Sequence, residues 1–148
     1  MPADTVLRPF VIAPQHPKPG APEHTPDAVA KFFRQGRSSL QAGHYDAAGS
    51  MYRKTLETAL KNAFPNLSGD LTLYKRIEAA KEQGGLTEAL ADWAQRIRGL
   101  GNNAAHEEEP FDENDAKMLD QFTELMLTYV FTLPGKLAEA RGAPDDML

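Results

Sequence analysis

The chain has 148 residues, 41% of them hydrophobic and 25% charged, with a net charge of -5. That is room for one buried core and the composition of an ordinary globular domain, which excludes wholesale disorder. The missing cysteine excludes disulfides, iron–sulfur clusters and Cys-ligated zinc within these residues.

The opening MPADTVLRPFVIAP places Asp4 ahead of its first basic residue and interrupts its apolar run with Pro9, unlike a signal peptide. No apolar run approaches the ~18 residues of a membrane span. The expectation is a cytoplasmic protein with no membrane contact. Charge is unevenly spread. Residues 1–75 hold nine Lys/Arg against six Asp/Glu, and residues 76–148 hold seven against fifteen. The densest block, HEEEPFDEND at 106–115, has six acids. The chain lacks the overall basic signature of a nucleic-acid binder, which leaves a local patch around Lys31, Arg34, Arg37, Arg53 and Lys54. Such a patch is more often a solvated helix face.

Residues 1–25 read as a proline-rich extended arm, because prolines at 2, 9, 14, 17, 19, 22 and 26 deny it helix and central strand. Val6, Phe10 and Ile12 are its apolar side chains. Residues 26–141 read as helices, and 142–148 as a flexible tail. The first helix runs over 26–42, with Thr25 as N-cap, Pro26 at the first helical position and Gly43 as stop. Its apolar stripe is Val29, Phe32, Phe33, Gly36 and Leu40. The second covers 45–64 through Tyr45, Ala48, Tyr52, Leu56, Ala59, Leu60 and Ala63, a buried-face spacing. The third covers 70–83 through Leu71, Tyr74, Ile77 and Ala80, closed by Gly84 and Gly85.

The fourth helix starts after Thr87 and follows Leu90, Trp93, Ala94, Ile97, Leu100 and Ala104. Gly99 and Gly101 fall inside it, and two such costly residues call for either a break or a close backbone approach. The fifth follows Asp112 as N-cap, with Asp115 in the first turn, through Met118, Leu119, Phe122, Leu125, Met126, Tyr129, Val130 and Leu133. Pro134 then kinks or ends it, with a short continuation to Arg141. About five amphipathic helices with short loops describe an all-α, up-and-down bundle.

One segment carries candidate chemistry. Arg98, Asn102 and His106 are spaced four apart, which on a continuous helix forms one stripe beside the apolar positions 97, 100 and 104. Arginine, amide and imidazole together suit phosphate binding and proton transfer. The bland alternative is a polar triad that caps loops or bridges helices. Arg53 and Glu57, also four apart, form a supporting pair or turn Glu57 inward toward Arg98 or Asn102. Trp93, Tyr74 and Tyr129 read as core. Walker, GxGxxG, GxSxG and HExxH motifs are all missing, adjacent acids beside His106 are a poor metal signature, and no cofactor or metal is expected.

The segments YRKTLETAL (52–60), LTEALADWAQRIRGLGNNAAHE (86–107) and FTELMLTYVFTLPGKL (122–137) resemble the domain-of-unknown-function family 4145, over about residues 26–141. That family is grouped with the HEPN-like helical domains, whose members often occur in bacterial defence and restriction. Some carry a Cys-rich zinc ribbon, for which these residues hold no cysteine. The resemblance implies a homodimer and metal-independent RNA cleavage. His106 matches the family's histidine and Asn102 its polar residue. The arginine position departs from the pattern: Gly101 stands five residues before His106, and the nearest arginine is Arg98.

Three functions follow. The first is a HEPN-like dimerising module that binds RNA or a partner protein and is catalytically weak or inactive. The second is an active metal-independent endoribonuclease using His106, Arg98 and Asn102. The third is a purely structural helical adaptor.

Overall fold

The computed structural model describes residues 20–67, 69–100 and 109–142. Among them every regular element is helical and no strand occurs. The chain runs through α1 (Asp27–Gln41), α2 (Tyr45–Ala63), α3 (Leu73–Glu82), α4 (Glu88–Arg96), α5 (Glu113–Leu127), a π-helical turn (Thr128–Thr132) and α6 (Leu133–Ala140). The all-α expectation holds, and the helix starts and stops follow local chemistry.

At the start of α1 the cap differs from expectation. Pro26, not Thr25, holds the N-cap position in an extended conformation (ψ 149°), and the Thr25 N–H instead closes a turn onto the Pro22 carbonyl at 3.3 Å. The Thr25 hydroxyl is buried without a hydrogen bond among the described residues. Gly43 ends α1 as expected. Its φ of +81° belongs to the left-handed region that glycine enters freely, and the His44 N–H reaches back to the Ser39 carbonyl at 2.9 Å.

Leucine and alanine at three- and four-residue spacing make α2 the central helix. Ala48, Tyr52, Leu56, Ala59 and Leu60 are fully buried, and α1, α3 and α5 pack around it. The third helix begins at Leu73, later than the spacing suggests, because the Thr72 hydroxyl accepts the Lys75 N–H and caps it there. The Thr87 hydroxyl caps α4 in the same way through the Leu90 N–H. At α5 the expected Asp112 cap is a full capping box: Asp112 accepts the Asp115 N–H at 2.9 Å while Asp115 accepts the Asp112 N–H at 3.0 Å.

The core joins Val29 and Phe33 of α1 to Ile77 and Ala80 of α3, Leu90, Ala91 and Ala94 of α4, and Leu119, Phe122 and Met126 of α5. Trp93 packs edge-on against Phe122, with ring centroids 5.3 Å apart, so it is partly core as expected. The helix-five stripe divides: Leu119, Phe122 and Met126 are buried, while Met118, Leu125 and Leu133 are about half exposed.

Pro134 neither ends nor sharply breaks the last helix. It lacks the N–H that would extend the α-ladder, and its ring crowds the preceding turn. The chain answers with one widened turn just ahead, in which the Leu133 N–H bonds the Thr128 carbonyl five residues back. Helical structure then resumes as α6. Glu23 and His24 lie along the π turn and α6: the Thr132 hydroxyl donates to the Glu23 carbonyl at 2.6 Å, Lys136 pairs with Glu23 at 2.8 Å and His24 with Glu139 at 3.0 Å. The apolar arm residues Val6, Phe10 and Ile12 and the tail lie outside the described residues.

Candidate functional site

The fourth helix stops at Arg96, eight residues before the expected end at Ala104. Ile97 is extended, and a β-turn follows in which the Leu100 N–H bonds the Ile97 carbonyl at 3.0 Å. Gly99 sits at the third position of that turn with φ +94°, a conformation that side chains rarely adopt. The turn buries both Ile97 and Leu100. Both reasons for the glycine coincide here. A Cβ at Gly99 would lie 2.8 Å from a guanidinium nitrogen of Arg53.

The break corrects the expected geometry of the triad. Arg98 lies beyond the helix, so it does not begin a continuous helical stripe toward positions 102 and 106. Asn102 and His106 lie outside the described residues.

Arg98 instead ties the chain back to the start of α5. One terminal nitrogen donates to the Pro110 carbonyl and to the Asp115 carboxylate, each at 2.8 Å, and the other donates to the Glu109 carbonyl at 2.6 Å. The ion pair with Asp115 is about four-fifths buried on both sides. Asp115 is the residue that closes the α5 capping box, so Arg98 clamps both the returning loop and the cap.

Arg53 is the second cation at this edge. Its guanidinium lies 5.8 Å from the centroid of the Phe111 ring, and both groups border Gly99. Phe111 in turn packs against Gly49 of α2, leaving no room for a side chain there. Burial pushes the Arg53 pKa below its ordinary value, opposed by the charge of Asp46. The expected Arg53–Glu57 pair does not form. Glu57 turns to Lys61 on the next turn, at 3.6 Å. Arg53 has no bonded carboxylate among the described residues.

The expected basic patch also loses a member. Arg37 turns inward and forks onto Asp120, Nε to Oδ2 at 2.9 Å and Nη2 to Oδ1 at 3.0 Å, with a further bond to Glu124 at 2.7 Å. The Tyr52 hydroxyl donates to the same Asp120 carboxylate. Burial opposes the Arg37 charge, yet the bonds and charges of Asp120 and Glu124 outweigh it and raise its pKa. This cluster joins α1, α2 and α5. Sequence reasoning missed it, although Asp120 inside the apolar α5 pattern was a signal: a charge on a buried face needs a partner. Lys31, Arg34 and Lys54 are exposed, and the Lys54 ammonium lies 4.9 Å from the Phe32 ring centroid. No group of acidic and imidazole side chains suited to a metal occurs among the described residues.

The profile of Domain of unknown function (DUF4145) matches residues 34–143, about three-quarters of the chain. The chain belongs to this family. It takes in α2, the Gly99 turn, the Arg98 clamp and all of α5 and α6, so both arginines are part of the DUF4145 domain. Curated proteins and solved structures give no match to this chain. Among the described residues no helix is long and apolar enough to cross a membrane.

Proposed function

We propose that this DUF4145 domain is a HEPN-like, dimerising helical module that binds RNA through the edge around Arg53 and has little or no nuclease activity. The setting would be bacterial defence or nucleic-acid processing. The observation that carries the reading is the state of Arg53. It is a half-buried cation against an aromatic ring, with no carboxylate bonded to it among the described residues. A phosphate restores what burial takes from such a group, and an adjoining ring suits an unstacked base.

The weak-catalysis part rests on Arg98. A guanidinium spent on two carbonyls and a carboxylate is poorly placed to stabilise charge on a reacting phosphate. The same bonds favour a structural role for Arg98 itself.

The test is fluorescence anisotropy with a labelled single-stranded RNA in EDTA at low salt. Micromolar binding that weakens steeply with added salt is expected. Arg53→Gln should weaken it about tenfold, the scale of one charge-assisted contact. Absence of binding at low salt refutes the reading. RNA cleavage in EDTA that His106→Ala abolishes would replace it with the ribonuclease reading.

A further inference from the structure

Leu133 and Leu137, two large apolar side chains left about half in solvent, line one open groove. It holds about 400 Å³ and is also walled by Phe64 just beyond α2, by Gly85, and by Tyr129 and Val130 of the π turn. A side chain at Gly85 would collide with the Phe64 ring, so glycine there leaves that wall in place. Ligand pockets run from roughly 300 to 1,000 Å³, and this one is at the small end. It suits a few side chains of an extended segment rather than a helix or a domain surface.

The chain itself arrives beside this groove. Thr132 holds the Glu23 carbonyl, Lys136 the Glu23 carboxylate and Glu139 the His24 imidazole. His24 takes φ +71°, a left-handed conformation uncommon outside glycine, and its ring seats where Gly135 has no Cβ to collide with it. A segment pinned in this way has a fixed exit. His24 meets positions 135 and 139, and Glu23 meets 132 and 136, so the chain read backwards heads toward the π turn. The pairing of α1 with α2 agrees. Gly36 faces Tyr52 and Phe32 faces Lys54, which puts the start of α1 level with the end of α2, where Phe64 stands.

We propose that residues 6–12, VLRPFVI, occupy this groove as an extended segment, with Phe10 and Ile12 against Leu133 and Leu137. They are the one run of large apolar residues in positions 1–19. Phe10 and Ile12 share a face of an extended chain, because side chains alternate along it. Reach is ample. Ile12 is eight residues from Gly20, up to about 26 Å of extended chain. Leu137 lies only about 8 Å along the rod from the Thr132 contact, at 1.5 Å per residue. Tethering decides the occupant. A segment anchored this close meets the groove at an effective concentration on the order of millimolar. Contacts too few to hold a separate protein are then enough to hold the chain's own first residues.

The cysteine-free sequence permits a direct test. The full chain carrying Phe10→Cys and Leu137→Cys is treated with a short bis-maleimide at low micromolar concentration, and linkage within one chain is read by mass spectrometry. Phe10→Cys with Gln41→Cys, at the far end of α1, is the reference pair. Leu137 and Gln41 are both exposed, so the helical circular dichroism should stay at wild type. Linkage about tenfold faster in the first pair is expected. Adding Ile12→Asp should slow it to the reference rate. Equal rates in the two pairs overturn the proposal. Preferential joining of two chains through Leu137→Cys alone also overturns it and assigns the groove to a second copy. A second readout needs no thiol. An apolar fluorescent dye such as ANS should bind the Phe10→Asp, Ile12→Asp double variant several-fold more brightly than wild type, and adding Leu133→Glu should remove the gain. Equal dye signals in wild type and double variant refute the occupied groove.

Discussion

Replacing Arg98 with alanine separates a structural arginine from a functional one. The Asp115 ion pair is about four-fifths buried on both sides, so its loss is not screened away as a surface pair would be. A hydrogen bond between charged groups in such a setting contributes roughly 1.5–3 kcal/mol. The Glu109 and Pro110 carbonyls belong to exposed residues, so water replaces the guanidinium there at little cost. Asp115 keeps its bond from the Asp112 N–H, so the cap itself survives. The net expectation is a loss of about 2 kcal/mol. For a domain of this size that lowers the melting temperature by roughly 6–10 °C. Arg98→Lys keeps the charge but not the fork that spans two carbonyls and a carboxylate, and should recover less than half of the loss. Calorimetry on both variants at pH 7, with RNA anisotropy in parallel, measures the two roles separately. A melting temperature within 1 °C of wild type, together with lost RNA binding or cleavage, refutes the clamp and makes Arg98 a ligand-facing residue.

The Arg37–Asp120–Tyr52 cluster gives two further expectations. Asp120→Ala removes both arms of the Arg37 fork and the acceptor of the Tyr52 hydroxyl while leaving Arg37 its bond to Glu124, and should cost about 2 kcal/mol in urea unfolding, whereas Tyr52→Phe should cost about 1; a loss below about 1 kcal/mol for Asp120→Ala would show that the cluster does not hold α1 to α5. Burial first, then the bond to Asp120 and its charge, raise the Tyr52 pKa above its ordinary value near 10. A raised pKa means that the native state holds the proton more tightly, so this stability is complete below pH 10 and is lost as pH rises beyond it. Melting temperature against pH should fall above pH 10 in the wild type and fall less in Tyr52→Phe; parallel curves would contradict the assignment.

The helices were legible because their signals are local. The stripe Ala48, Tyr52, Leu56, Ala59 and Leu60 needs only the helical period, and Thr87 and Asp112 cap through side chains that reach three residues ahead. Gly43 stops α1 for an equally local reason. The fourth helix shows where local reading fails. Ile97, Leu100 and Ala104 keep the helical spacing, but a turn buries Ile97 and Leu100 just as well, and Gly99 makes that turn cheap. Spacing cannot separate two backbones that hide the same side chains.

By itself the sequence determined an all-α chain, its central helix, the Thr87 and Asp112 caps and the family to which it belongs. Only the tertiary structure decided what the arginines do. Arg98, Arg53 and Arg37 are alike in sequence, each one charge beside an apolar stripe. One clamps a loop to Asp115, one lies against Phe111 without a bonded acid among the described residues, and one forks onto Asp120, 83 positions away. The physical reason is range. A helix period acts over four residues, whereas the fate of a charge depends on which distant group the fold brings within 3 Å of it and how much water is left between them.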